Sequence, residues 1–134
     1  MTYEEWIESH ASLHKTIVDK LQHMSHNEIV EYFEFENMVK NEPDFCPLYK
    51  DNKKCHEIEQ LNCYFCACPH FRLDTDKSFC SIESKDGGEF VGPDGFVHQD
   101  CSKCSIPHKT KYILNNFDRD WKKVMKDVVL KSHI

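Results

Sequence analysis

Apolar and polar positions alternate along the first part of the chain in the manner of an amphipathic helix. One stripe recurs at spacings of four and three, and Thr2 with Glu5 fits a capping box at its start. The stripe contains Tyr3, Ile7, His10, His14, Ile17, Leu21 and Met24. His10 and His14 lie four apart, a spacing that can hold a metal ion, but we favour a packed or partly exposed histidine over a ligand for both.

A second helix is predicted from about residue 26 to residue 40. Ser25 and Glu28 fit another capping box, and Pro43 would end the helix. Its apolar residues are Ile29, Val30, Tyr32, Phe33, Phe35, Met38 and Val39. Residues 1–42 are therefore expected to form an N-terminal helical region.

The middle of the chain, residues 43–112, has little periodicity. It contains all eight cysteines, all five prolines and all four glycines. A short hairpin is predicted, with strands at 89–91 and 96–98 around the turn at 92–95. Because so irregular a segment buries little apolar area, we expect metal to supply the missing folding energy, on the order of 10 kcal/mol for a structural zinc.

The last region, residues 113–134, is predicted to be an amphipathic helix packed on the same unit. Asn115 or Asn116 would cap it. Its apolar stripe is Phe117, Trp121, Val124, Met125 and Val128. The expected fold class is therefore α plus irregular: a small, metal-stabilised cysteine-rich loop domain with little β structure, flanked by helices.

Length and charge narrow the possible classes of protein. At 134 residues the chain fits one domain, and its net charge of −6 argues against a nucleic-acid partner. The acidic start does not resemble a secretory signal, and no apolar run is long enough to span a membrane. We therefore expect a cytoplasmic protein without a membrane partner, in which clustered thiols bind metal rather than form disulfides.

Two Cys-x-x-Cys pairs carry the strongest chemical signal. Such a turn exposes two sulfurs on one side, and zinc binds four such donors in a tetrahedron. The predicted metal ligands are Cys46, Cys55, Cys63, Cys66, Cys68, Cys80, Cys101 and Cys104. They can be divided into two zinc sites, one made by the two Cys-x-x-Cys pairs and one by the other four cysteines. His56, His108 and His70 are further candidates, either as ligands or as hydrogen-bond partners of the ligand sulfurs.

An iron–sulfur cluster is the alternative cofactor. Four thiolates also bind such clusters, and Cys68 followed by Pro69 is similar to ferredoxin loops. The Cys-x-x-Cys-x-Cys spacing, however, differs from the ferredoxin runs. We therefore expect one or two zinc ions, with the cluster as the alternative.

The order of these motifs resembles the cysteine-rich small domain, a family of bacteria and archaea that is expected to bind metal. The resemblance covers about residues 43–112. The matching positions are Cys55-His56, Asn62-Cys63, Phe65-Cys66, Cys68-Pro69, Cys80, Asp100-Cys101-Ser102, Cys104 and Pro107-His108. The resemblance implies metal binding and a compact fold, and it brings no particular reaction.

Motifs for catalysis are hard to find in this sequence. There is no glycine-rich phosphate loop, no nucleophile elbow and no His-Glu-x-x-His helix. We therefore expect a metal-binding protein rather than an enzyme, with zinc organising the fold and an adaptor or regulatory role toward another protein. An iron–sulfur redox or sensing protein and a metal delivery or storage protein remain the alternatives.

Overall fold

The computed structural model describes residues 2–130, and its first element confirms the predicted N-terminal helix. Helix α1 spans Tyr3–Asp19, and Thr2 caps it by accepting a hydrogen bond from the Glu5 amide at 3.1 Å. The buried side of the helix contains Ile7, His10, His14, Ile17 and Val18. The predicted stripe is thus the face that packs on the core.

The predicted second helix is divided into two short helices. Helix α2 spans His26–Tyr32 and starts with the complete capping box of Ser25 and Glu28, whereas α3 spans Phe35–Asn41. The division occurs where the backbone bonds elsewhere: the Phe35 amide donates to Leu61 O, and the Cys63 amide donates to Phe33 O, both at 2.9 Å. Tertiary pairing with residues 61–63 therefore interrupts a helix whose own sequence contains no glycine or proline at this point.

The middle region is more regular than expected, and the predicted fold class is wrong. In the described part of the chain, five helices and two small antiparallel sheets give about 38% helix and 14% strand, a mixed α/β fold rather than mainly loops. The first sheet pairs β1 (Phe71–Leu73) with β2 (Ser78–Cys80), and the second pairs β3 (Gly88–Val91) with β4 (Val97–Asp100). Two 3₁₀ helices span Pro47–Asp51 and Ile106–His108.

The hairpin of β3 and β4 was predicted and is confirmed. Each strand is one residue longer than expected, and β4 begins one residue later, with Gly88 opposite Asp100 and Val91 opposite Val97. Asp94 Oδ1 accepts from the Phe96 amide at 3.0 Å, and Gly95 has a φ of 83°, which favours glycine. This turn returns the chain toward Cys101, as the sequence indicated.

The predicted C-terminal helix is instead two short helices followed by an extended segment. Helix α4 spans Thr110–Asn115 and α5 spans Trp121–Val124, with Asp120 as the N-cap of α5. The Leu73 amide donates to Val128 O at 2.7 Å, so the chain pairs with β1 instead of continuing as a helix. The last predicted helical residues, 131–134, lie outside the described residues.

The core lies between α1, α2, α5 and the segment that contains the first Cys-x-x-Cys motif, from Cys63 to Cys66. Its largest fully buried side chains include Trp121, Tyr64, Phe33 and Phe65. Tyr64 and Phe65 stand between Cys63 and Cys66, so this motif is fixed to the core by its own two intervening aromatic rings. Among residues 2–130, no helix combines the length and apolar character needed to cross a membrane.

Candidate metal centre

One ring nitrogen of His108 is hydrogen-bonded to the backbone, and the other is free to bind a metal ion. Its side chain is 6% exposed, and its Nδ1 lies 2.9 Å from the backbone carbonyl of Asn62. A carbonyl can only accept, so Nδ1 carries the proton and Nε2 keeps its lone pair. Metal-binding histidines are commonly oriented in this way. Nε2 lies 3.6 Å from Cys55 Sγ.

His56 is arranged in the complementary sense. Its Nε2 lies 3.0 Å from the carbonyl of Cys101, so Nε2 is the donor and Nδ1 keeps the lone pair. Nδ1 lies 3.2 Å from Cys55 Sγ. Backbone carbonyls therefore select opposite tautomers in His56 and His108, and both lone pairs are directed at the same sulfur.

These three side chains form what we call the Cys/His centre: Cys55, His56 and His108. Their ligand atoms all lie within 4.8 Å of one another, and the two imidazole rings are 4.7 Å apart between centroids. A single thiol has one proton and can satisfy only one of the two nitrogen lone pairs. A cation between the three atoms would satisfy both, and one sulfur with two imidazoles is a donor set that suits zinc.

The cysteine of this centre is protonated at neutral pH when no cation is bound. Cys55 is exposed as a whole residue, but partial burial of its thiol group and then the neighbouring Cys63 and Cys46 thiolates raise its pKa to about 11. A thiol in this state is a poor nucleophile, because the thiolate is the reactive form. A bound cation would displace the proton, so metal uptake at this centre should release acid.

Asn62 supports the centre without contributing a ligand, and its place in the motif was the one sequence signal that pointed to it. It is fully buried; its side-chain amide donates to Val30 O at 2.7 Å, and its Oδ1 accepts from the Tyr64 amide at 2.9 Å. Its backbone amide also donates to His108 O at 2.9 Å. Asn62 thus fixes His108 to helix α2 through bonds at both ends.

Three further cysteines lie near Cys55, namely Cys46, Cys63 and Cys66. The Cys66 thiol, by hydrogen bonding, lowers the pKa of Cys63, and burial opposes this. The same bond, burial and the nearby Cys63, Cys55 and Cys46 thiolates raise the pKa of Cys66 well above its usual value. Within residues 2–130, none of these three sulfurs lies within 4.8 Å of all three ligand atoms of the Cys/His centre, so the centre has three donors in this structure.

The other four cysteines lie together elsewhere, around one cavity. Burial and then the thiolates of Cys68, Cys104 and Cys80 raise the pKa of Cys101 to about 11. The structure therefore groups the eight predicted ligands as Cys46, Cys55, Cys63 and Cys66 on one side and Cys68, Cys80, Cys101 and Cys104 on the other. This differs from the predicted sites, in which the two Cys-x-x-Cys pairs shared one ion.

The different grouping has a local cause in the backbone. Ala67 and Cys68 both have positive φ values, 89° and 62°, in a region that non-glycine residues rarely adopt. This left-handed turn directs Cys68 away from Cys66, although only one residue separates them. A sequence pattern does not reveal such a turn, because neither residue is glycine or asparagine.

The remaining candidate histidines lie in other surroundings. His70 Nε2 is 2.6 Å from the Tyr112 hydroxyl, with which it shares a hydrogen bond, and burial lowers the pKa of His70. His10 and His14 are buried among aromatic rings in the core, so they are packed histidines rather than partly exposed ones. Within residues 2–130, the Cys/His centre is the one group of three or more donors close enough to share an ion.

Comparisons of the chain with family models, with curated proteins and with solved structures find no match. The resemblance to the cysteine-rich small domain therefore rests on the motif in residues 43–112 alone.

Proposed function

We propose that this is a zinc-binding protein in which the Cys/His centre organises the cysteine-rich half of the fold. The observation that supports this most directly is the convergence of two histidine lone pairs on Cys55 Sγ. Backbone carbonyls have already selected the tautomers that zinc needs, so the ordering that binding requires is largely complete before the ion arrives.

Zinc in this position would connect three distant parts of the chain. Cys55 and His56 follow the first 3₁₀ helix, His108 ends the second, and Asn62 joins His108 to helix α2. The proposed role is that of an adaptor or regulator in a reducing compartment, acting on another protein. The high pKa of Cys55 argues against a nucleophile at this position.

The test is elemental analysis of protein purified without a metal-binding tag. We expect zinc in the native protein, and loss of one zinc per chain in Cys55→Ser and His108→Ala. His23→Ala is the matched control, because His23 is exposed and lies far along the chain from the centre. Circular dichroism of each variant reports whether the fold survives.

Native protein that binds no zinc would contradict the proposal. So would a folded His108→Ala protein with the same zinc content and affinity as the native chain. Cobalt(II) offers a second measurement on unaltered protein, because its visible spectrum distinguishes mixed sulfur–imidazole coordination from sulfur alone.

Metal delivery is a second candidate function, and the exposure of Cys55 favours it. An ion held partly by an exposed thiol can pass to another thiol by ligand exchange. Delivery predicts that zinc leaves for a competing chelator within minutes. Retention for many hours would instead support the structural role.

A further inference from the structure

A second group of sulfurs lines a cavity that borders the Cys/His centre, since His56 and His108 form part of its wall. The cavity has a volume of about 290 Å³. We call it the thiol cavity, because four cysteines line it: Cys68, Cys80, Cys101 and Cys104. The rest of its wall is largely apolar and includes Tyr3, Ala67, Phe71 and Pro107.

Three separate segments bring these sulfurs together. Cys68 follows the left-handed turn, Cys80 ends β2, and Cys101 with Cys104 comes directly after β4. The two hairpins pack against each other, since the Gln99 amide donates to Ser78 Oγ at 2.7 Å. Both hairpins thus position a thiol at the same cavity, although they belong to separate sheets.

The thiols of the cavity interact with one another and with groups that suit bound sulfur. Cys104 Sγ lies 3.2 Å from the Ser84 hydroxyl. Burial raises the pKa of Cys68, and a hydrogen bond from the His70 amide opposes that rise. Hydrogen bonds to sulfur are a common feature of metal–thiolate centres, where they tune the bound metal.

The spacing of these sulfurs differs from that of the Cys/His centre. In a zinc tetrahedron, Zn–S distances of about 2.3 Å place neighbouring sulfurs about 3.8 Å apart. In the described part of the chain, no three of these sulfurs lie within 4.8 Å of one another. The cavity between them is wide enough for more than one metal atom.

We propose that the thiol cavity binds a second metal centre, coordinated by sulfur alone and loaded independently of the Cys/His centre. Its ligand chemistry is that of four cysteines for a thiophilic metal, and both a single zinc ion and an iron–sulfur cluster use it. The wide spacing and apolar wall favour the cluster. His56 and His108 border the cavity, but the two centres share no cysteine. The second centre can therefore be tested through its own thiols, and this inference does not rest on the proposed function.

The experiment compares one cysteine from each centre. Native protein, Cys80→Ser and Cys55→Ser are purified without oxygen, and zinc, iron and acid-labile sulfide are measured per chain. We expect Cys80→Ser to lose one set of metal and to keep the metal of the Cys/His centre. Cys55→Ser should show the reverse loss, and Ser81→Ala is the control for a change beside Cys80 that removes no thiol.

The outcomes separate the form of the centre from its existence. Iron with matching sulfide that disappears in Cys80→Ser identifies a cluster, and zinc without sulfide that disappears identifies a single ion. Either result supports a second centre. Unchanged metal content in folded Cys80→Ser would overturn it.

A variant that fails to fold does not leave the question open. The metal-free native chain is titrated with cobalt(II) and, in parallel, reconstituted with iron and sulfide. Beyond the mixed sulfur and imidazole spectrum, we expect either a second cobalt spectrum typical of sulfur alone or uptake of iron with matching sulfide. One cobalt per chain together with no uptake of iron and sulfide would contradict the second centre. If Cys55→Ser keeps all its metal while Cys80→Ser loses some, the proposed function fails and this inference stands.

Discussion

The two pairs of histidines in this protein have opposite surroundings. His10 and His14 lie four residues apart on one helix, with ring centroids 6.4 Å apart, and His56 and His108 lie far apart in sequence, with centroids 4.7 Å apart. His10 and His14 have the sequence spacing of a metal-binding motif. His56 and His108 have the three-dimensional arrangement that metal binding requires.

Neighbouring groups explain the difference. His10 packs on Trp6 and Phe45 at 4.8 Å each, and its Nε2 has no hydrogen-bond partner among the described residues. His56 and His108 instead have backbone carbonyls on one side and a sulfur on the other. Metal binding depends on how the surroundings assign protons and lone pairs, and spacing along a helix does not determine this.

The largest effect on stability should come from substitution of His14, one of the two buried histidines. His14 is fully buried, stacks on Phe33 at 4.9 Å and bonds to Tyr64 O at 3.1 Å. His14→Ala should therefore lower the free energy of unfolding by about 4 kcal/mol, through a cavity and an unpaired carbonyl. Urea denaturation measures the loss, and metal content per folded chain should be unchanged. Loss of metal without loss of stability would make His14 a ligand and end the comparison.

The pH dependence of stability should also come from the core. Burial lowers the pKa of His10 from 6.5 to about 4, so the unfolded chain binds a proton more readily than the folded one. Stability that is present above pH 6.5 is therefore lost as the pH falls toward about 4, by about 3 kcal/mol for this residue.

His10→Phe tests this effect. Urea denaturation of the variant between pH 7.5 and 4.5 should show a weaker pH dependence than the native chain. Acid also releases metal from the thiols, but that contribution is common to both proteins and cancels in the difference. Parallel curves for the two proteins would show that His10 does not titrate in this range.

Asn62→Ala should affect both the stability of the core and the affinity of the Cys/His centre for zinc. Its effect on stability should be smaller than that of His14→Ala. Val30 O and the Tyr64 amide lose their side-chain partners, which should cost about 2 kcal/mol. His108 loses part of its support, so zinc affinity should fall by roughly 10-fold or more. Asn37→Ala is the control, because Asn37 is a partly buried asparagine that also donates to a backbone carbonyl. Unchanged zinc affinity in folded Asn62→Ala would mean that His108 needs no such support.

The smallest effect is expected at His70, a predicted candidate ligand. Its contact in the structure is the Tyr112 hydroxyl, so His70→Ala should cost about 1 kcal/mol and leave metal content unchanged. Thermal unfolding and elemental analysis check the two statements together. A stoichiometric loss of metal would place His70 in a centre.

Local features of the fold could be predicted from the sequence. The caps at Thr2 and Ser25, the stripe of α1 and the turn at Asp94 and Gly95 all depend on residues close together in the chain. Features that depend on distant pairing could not. The break between α2 and α3 results from backbone bonds to residues 61–63, and β1 and β2 carry no alternating pattern that would mark them.

The same distinction applies to the candidate sites. All three members of the Cys/His centre were candidates, but their convergence depends on the carbonyls of Asn62 and Cys101, which no side-chain pattern reveals. The grouping of the other cysteines depends on the left-handed turn at Ala67 and Cys68. An unusual backbone conformation without glycine leaves no signal in the sequence.

Asn62 and His108 are 46 residues apart in the chain, and the two hydrogen bonds between them close a loop. Both hairpins lie within this loop. An ion at Cys55 and His108 would fasten that loop at its base much as a disulfide would, and closing a long loop restricts the unfolded chain most. The fastening would be reversible by chelation and insensitive to reductant. A protease cut near residue 85 would then leave two fragments joined by the ion as well as by the shared core, and their association should weaken when the ion is removed.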